Sequence, residues 1–324
     1  MWARTPLGPE VEQPFLAQAV LRELTSAAQP LVPLQKVLAI IRTLENRMLR
    51  ETYLPAVLAD IVRGGGATML VAIMGANGSN RRAMSMCCNH LSSLALPYRH
   101  SDDPAHDPVN RECAEIIAAA GGATAVVTAL RDHSACDVAA AAGCGALCNM
   151  SYASEQAAAS VAAAGGLLAV MEALRMHWAS LYVPVASNAV SALTSILLTA
   201  TRGGDSIAGH IKAIVDDGCI AVLLAVFRSR RGDAGIQSLL PTCLNFIAES
   251  SPENRAAVVA AGGGEYVADV ACTALSLSSS GEHVTPLTSS SYADPLTEVA
   301  SGTAVPEFDA AGGARGRPDP ASKT

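Results

Sequence analysis

The sequence predicts an all-α solenoid, and three observations predict it. The phrase "apolar helix, Gly-Gly, apolar helix" occurs twice between Glu112 and Val170, as IIAAAGGATAVV around Gly121 and SVAAAGGLLAVM around Gly165. Gly65, Gly121, Gly165, Gly218 and Gly262 fall at equivalent points, separated by 56, 44, 53 and 44 residues. Hydrophobic residues make up 50% of the chain and aromatics only 4%. Its core must therefore come from Ala, Val, Leu and Ile, which suits closely stacked helices.

Two of the separations match a repeat of a little over forty residues, and two are that length plus an insertion. The first insertion is the polar loop PYRHSDDPAHDPVN (97–110), and the second falls within TATRGGDSI (199–207). Self-similarity at this period is the signature of units that cover one another's apolar faces. Glycine at each anchor has a physical task. A helix that ends and turns at once into another needs a residue that tolerates positive φ.

Taken in order, residues 1–13 read as a flexible N-terminus. PFLAQAVLRELTSAAQ (14–29) is helical, with Phe15, Ala19, Leu21 and Leu24 near one face, until Pro30 breaks it. A second helix follows, with Leu34, Val37, Leu38, Ile41 and Leu44 on one side. This pair reads as a leading cap. The first repeat takes ETYLPAVLADIV, ATMLVAIM and MSMCCNHLSSLAL. The second takes Asn110–Gly122, Ala123–His133 and Asp137–Ser151, with Ser134 or Asp137 placed to cap its third helix. The third opens at SVAAAGGLLAVM, and the fourth runs through IAGHIKAIVDDGCIAVLLAVF and IQSLLPTCLNFIAES. A fifth begins at PENRAAVVAAGGG and is truncated before a third helix. The repeat domain is thus expected over 14–277. Residues 278–324 are rich in Ser, Pro, Thr and Gly and read as a disordered tail, because they cannot bury enough apolar surface to offset chain entropy.

Charge and cysteine usage narrow the function classes. A net charge of −7 with few aromatics lacks the basic footprint and stacking residues of a nucleic-acid binder. Nine cysteines scattered through helical stretches argue against a disulfide framework and for a reducing compartment. The N-terminus carries Pro and Glu where a signal peptide needs an apolar core. No apolar run reaches the length of a membrane span. The expectation is an intracellular, cytoplasmic protein, with nucleus or cilium as alternatives.

Chemistry-bearing patterns are sparse. Cys144 and Cys148 lie one turn apart, with His133 and Cys136 upstream, and Cys87, Cys88 and His90 form a second group. Neither has the paired spacing of a metal site, and small cysteines pack readily between helices. His100, Asp102, Asp103, His106 and Asp107 crowd one loop without a fixed ligand geometry. The Gly64–Gly66 and Gly75–Gly78 stretches lack the Lys-Ser/Thr ending of a phosphate loop. No GxSxG or HExxH occurs. The expectation is no enzyme, no metal and no cofactor.

The pattern Asn-x(n)-Ala-Gly-Gly-x-x-x-Val-Val followed by Ala-x-x-x-Ala-Leu-x-Asn-Met-Ser, at Asn110–Ser151, resembles the armadillo repeat. HEAT repeats are the nearest alternative. The resemblance implies a right-handed armadillo-like superhelix whose third helices line a concave groove. In that family a ladder of Asn holds an extended peptide backbone, and a Trp one turn earlier forms side-chain pockets. Carried over by position, the Asn rung falls on Ser93, Asn149, Ser195 and Phe246, and the Trp rung on Asn89, Gly145, Ser191 and Thr242. One rung keeps its Asn and none its Trp, which argues against import-receptor-style binding of a basic peptide. The implied function is a non-catalytic scaffold that binds a protein partner or peptide segment through these eight positions, with Phe246 as anchor and Asn149 as clamp. The alternatives are a structural component of a ciliary or cytoskeletal assembly and a transport adaptor. Partner and oligomeric state are open at this level.

Overall fold

The computed structural model describes residues 9–28, 55–96, 107–180, 184–202 and 207–264, with positions 35, 36, 39 and 266. The second helix of the leading pair, the loop at 97–106 and the tail from 278 lie outside the described residues. Among the described residues there are fourteen α-helices and no strand.

α1 spans Pro9–Ala27 and packs on the first two helices of repeat one. It starts earlier than the expected Pro14, and its buried stripe is Ala17, Val20, Leu24 and Ala27. Ala19 and Leu21 are only half-buried. The buried set keeps the strict i, i+3, i+7, i+10 spacing of one helical face.

Repeat one is α2 (Pro55–Arg63), α3 (Gly66–Ala76) and α4 (Arg81–Ala95). Repeat two is α5 (Pro108–Ala119), α6 (Gly122–Asp132) and α7 (Asp137–Ala153). Repeat three is α8 (Glu155–Ala163), α9 (Gly166–His177) and α10 (Pro184–Arg202). Repeat four is α11 (Ala208–Asp216), α12 (Cys219–Ser229) and α13 (Ala234–Glu249). α14 (Pro252–Val258) opens a fifth unit and runs into a wide turn at Val259–Gly263.

All five anchor glycines adopt positive φ, between 81° and 91°. In repeats one to three the corner so made bends the first helix from the second by 67°, 66° and 71°. At Gly122 a Cβ would stand 2.8 Å from the carbonyl oxygen of Ile117, so the second glycine of the pair lets the two helices close tightly. Repeat four places Cys219 at this point, fully buried.

Side-chain caps fix five of the helix starts. Asn80 accepts from the Ala83 amide, Asp107 from Val109 and Asn110, Ser154 from Ala157, Asp233 from Ile236, and Ser251 from Asn254. Each such cap is worth about 1 kcal/mol. The expected cap of α7 is different. Cys136 occupies the N-cap without a side-chain bond, and Asp137, one residue inside, accepts from the Val138 amide.

Like helices stack on like. α4, α7, α10 and α13 form one row, α3, α6, α9 and α12 a second, and α2, α5 and α8 a third. α7 is buried from Ala139 to Met150 without interruption. Its Ala, Gly and Cys side chains let the neighbouring third helices approach closely.

Polar latches join successive repeats at the ends of the second helices. His133 Nε2–H donates to the Gly78 carbonyl at 2.7 Å, and His177 Nε2–H donates to the Ser134 carbonyl at 2.6 Å. At the next joint Arg230 Nη2 donates to the carbonyls of Trp178 and Ser180 at 3.0 and 2.7 Å. These residues stand twelve after Gly121, Gly165 and Gly218 respectively. A second set runs forward: Arg63 grips Glu112 at 2.7 Å, and Arg175 grips Asp217 at 2.6 Å.

Candidate partner-binding face

The third-helix row carries all eight residues singled out in the sequence, but it does not expose them equally. Asn89, Thr242 and Phe246 are half-buried. Ser93, Gly145, Asn149, Ser191 and Ser195 are buried. The open positions lie at the two ends of the row, on α4 and α13. The middle rungs are enclosed because their small side chains sink between larger neighbours.

Asn149 differs most from its expected role. Its side chain is 0% exposed, and its amide nitrogen donates to both the carbonyl and the hydroxyl of Ser92 on α4, each at 3.0 Å. It is a strut between repeats one and two rather than a solvent-facing clamp. The same register recurs one joint later, where Ser195 Oγ meets Cys148 Sγ at 3.6 Å. Asn188 adds another strut, donating to the Ala141 carbonyl at 2.9 Å.

The strut leaves a polar atom over. The Asn149 Oδ1 is buried and no donor reaches it, and the same holds for Asn89 Oδ1 on α4. Asn89 stands one turn before Ser92, the residue that Asn149 grips, so both oxygens belong to the α4–α7 seam. An unmet buried acceptor costs about 1–3 kcal/mol.

At the other end, α13 lifts Leu239, Thr242 and Phe246 into half-exposure along one face. Tyr152 on α7 and Leu198 on α10 are half-buried at the positions that correspond to Glu249 on α13. The sequence reading missed Leu239, Tyr152 and Leu198. The signal for Tyr152 and Leu198 was the seven-residue spacing beyond Gly145 and Ser191, and for Leu239 the seven-residue spacing before Phe246.

The far edge of α13, where a fifth third helix would sit, is polar. Ser238 and Glu249 are exposed and Asn245 lies between them, where α7 presents Ala141, Cys148 and Tyr152.

Burial quiets most of the thiols among the described residues. Burial drives the thiols of Cys87, Cys144 and Cys243 upward, and pushes those of Cys88 and Cys148 up to about 12. A thiol held protonated is a poor nucleophile and a poor metal ligand. No group of three or more His, Cys, Asp or Glu side chains is arranged to hold a metal ion among the described residues. Of the loop at 97–107, Asp107 is described, and it caps α5. No single described helix is long and apolar enough to cross a membrane.

Fold and face together define an all-α solenoid of stacked three-helix repeats. No protein-family model and no curated protein matches the chain. Among solved structures it is similar to a crystal structure of an engineered protein, at 22% identity over 78% of this chain and 88% of that one, with a TM-score of 0.58. A second engineered protein shares 18% identity over 78% of this chain and 89% of that one, with a TM-score of 0.57. At these identities the likeness concerns the fold alone.

Proposed function

We propose that the chain is a divergent armadillo-class scaffold, non-catalytic, that binds a protein partner along the concave face of its third-helix row. The observation that carries this reading is the half-exposed face of α13, with Leu239, Thr242 and Phe246. Exposed apolar anchors of this kind are what a bound polypeptide segment covers.

The exposed Leu168 and Met176 on α9, 38% and 52% exposed, favour a second reading. In it the second-helix row holds the protein in a larger assembly. A pull-down with the wild-type chain, a Thr242→Arg/Phe246→Arg variant and a Met176→Glu variant separates the two. Loss of the bound protein on the first variant alone supports the third-helix face. Loss on Met176→Glu alone transfers the function to the outer row.

A further inference from the structure

The third-helix row is almost free of charge. From Val138 to Ala153, from Pro184 to Thr201 and from Ala234 to Ala248 no residue is Asp, Glu, Lys, Arg or His. Between Ala83 and Ala95 the only titratable side chains are Cys87, Cys88 and His90, all buried. Charges stand only at the margins, as Arg81 and Arg82 at the start of α4, Asp137 at the start of α7, Arg202 at the end of α10 and Glu249 at the end of α13. The second-helix row is different. Arg131, Asp132, Glu172 and Arg228 are exposed there.

Burial explains the lack of charge on α7 but not on α13. There Ser238 is exposed, and Leu239, Thr242 and Phe246 are half-exposed, at positions where a solvated helix ordinarily carries Lys or Glu. At the opposite end, the fully buried Asn149 keeps an acceptor with no donor, and Asn89 keeps another. The face therefore offers apolar contact along α13 and no counter-charge along its length.

From this we infer that the occupant of the third-helix face is an uncharged, apolar polypeptide segment, seated by an aliphatic or aromatic side chain against Leu239 and Phe246. The inference rests on the proposed partner-binding reading and names the chemistry of that partner. A basic or acidic side chain laid on this face loses its water and finds no opposite charge, so the face discriminates against it. An apolar side chain gains by the same desolvation.

The test selects random peptides displayed on phage against the full chain and, in parallel, against Thr242→Arg and Phe246→Ser variants. Both sites are half-exposed, so folding is expected to persist, and matching helical circular dichroism and melting checks it. The expected result is a peptide set enriched on the wild type and lost on the variants, rich in Leu, Ile, Val and Phe and near zero net charge. Replacing its central apolar residue with Lys should weaken binding about tenfold or more, roughly 1.4 kcal/mol or more. A set that is lost on the variants but rich in Lys and Arg, or in Asp and Glu, overturns the inference and leaves the binding face standing. Enrichment that is equal on all three proteins, or absent from the wild type, removes the binding face itself and the inference with it.

Discussion

Asn149 spans the seam between the second and first repeats, its amide nitrogen donating to both the carbonyl and the hydroxyl of Ser92 at 3.0 Å. The residue that best matches a peptide-clamping rung is thus committed to holding the stack together. Asn149→Ala should lower stability by about 1–2 kcal/mol, the worth of two ordinary hydrogen bonds. Asn149→Asp should lose more at pH 7, because a carboxylate cannot donate to the Ser92 carbonyl and would be buried as a charge. Burial raises the pKa of such a carboxyl, so the deficit should narrow as pH falls and the group takes up its proton. Urea unfolding of the three proteins at neutral and acid pH checks both statements.

Glu112 gives a prediction of the opposite sign. The hydrogen bond and charge of Arg63 hold its carboxyl below the ordinary value of 4.5, against a smaller opposing effect of burial. The stabilisation is present above that value and is lost as pH falls through the lower folded pKa. Glu112→Gln should therefore be less stable than wild type near neutrality and indistinguishable from it in strong acid. Added salt should shrink the neutral difference, since both side chains are exposed. Melting temperatures across a pH series measure this.

Arg230 holds repeat four to repeat three through the carbonyls of Trp178 and Ser180. Arg230→Ala should cost about 1–2 kcal/mol, the charged donor being partly solvated. Its effect should be local, because solenoid units depend on their nearest neighbours. Hydrogen exchange should quicken in α12 to α14 and stay unchanged in α5 and α6. Equal quickening throughout would show that the joint is not where that latch acts.

The thiols divide by burial. Cys87, Cys88, Cys144, Cys148 and Cys243 are buried, whereas Cys136 is half-buried. Iodoacetamide applied to the native protein at mild alkaline pH should modify Cys136 while these five remain unmodified until urea is added. Peptide mass spectrometry reads the pattern. Labelling of Cys144 or Cys148 in the native state would contradict the close packing of α7.

The solenoid was legible because its corners are written in glycine. Gly65, Gly121, Gly165, Gly218 and Gly262 all take the left-handed conformation that their spacing implied. Helix identities within repeat two were also legible, to within two or three residues at each end, from apolar periodicity. The roles of the rung residues were not. Position on a helix says which face Asn149 shares, but burial depends on how closely α4 and α10 approach, and small Ala and Gly side chains set that distance. The latches of His133, His177 and Arg230 escaped for another reason. Their acceptors are loop carbonyls of the preceding repeat, and a carbonyl leaves no trace in the sequence. The caps at Ser134 and Asp137 were placed one or two residues from Cys136, where α7 takes its N-cap.

The most direct test of the binding face is site-specific photocrosslinking, with a photoreactive side chain placed at position 246 in one protein and at position 176 in another. The third-helix account predicts a discrete crosslinked polypeptide from position 246 and none from position 176. A crosslink formed at position 176 alone would contradict it and assign the interaction to the outer helices.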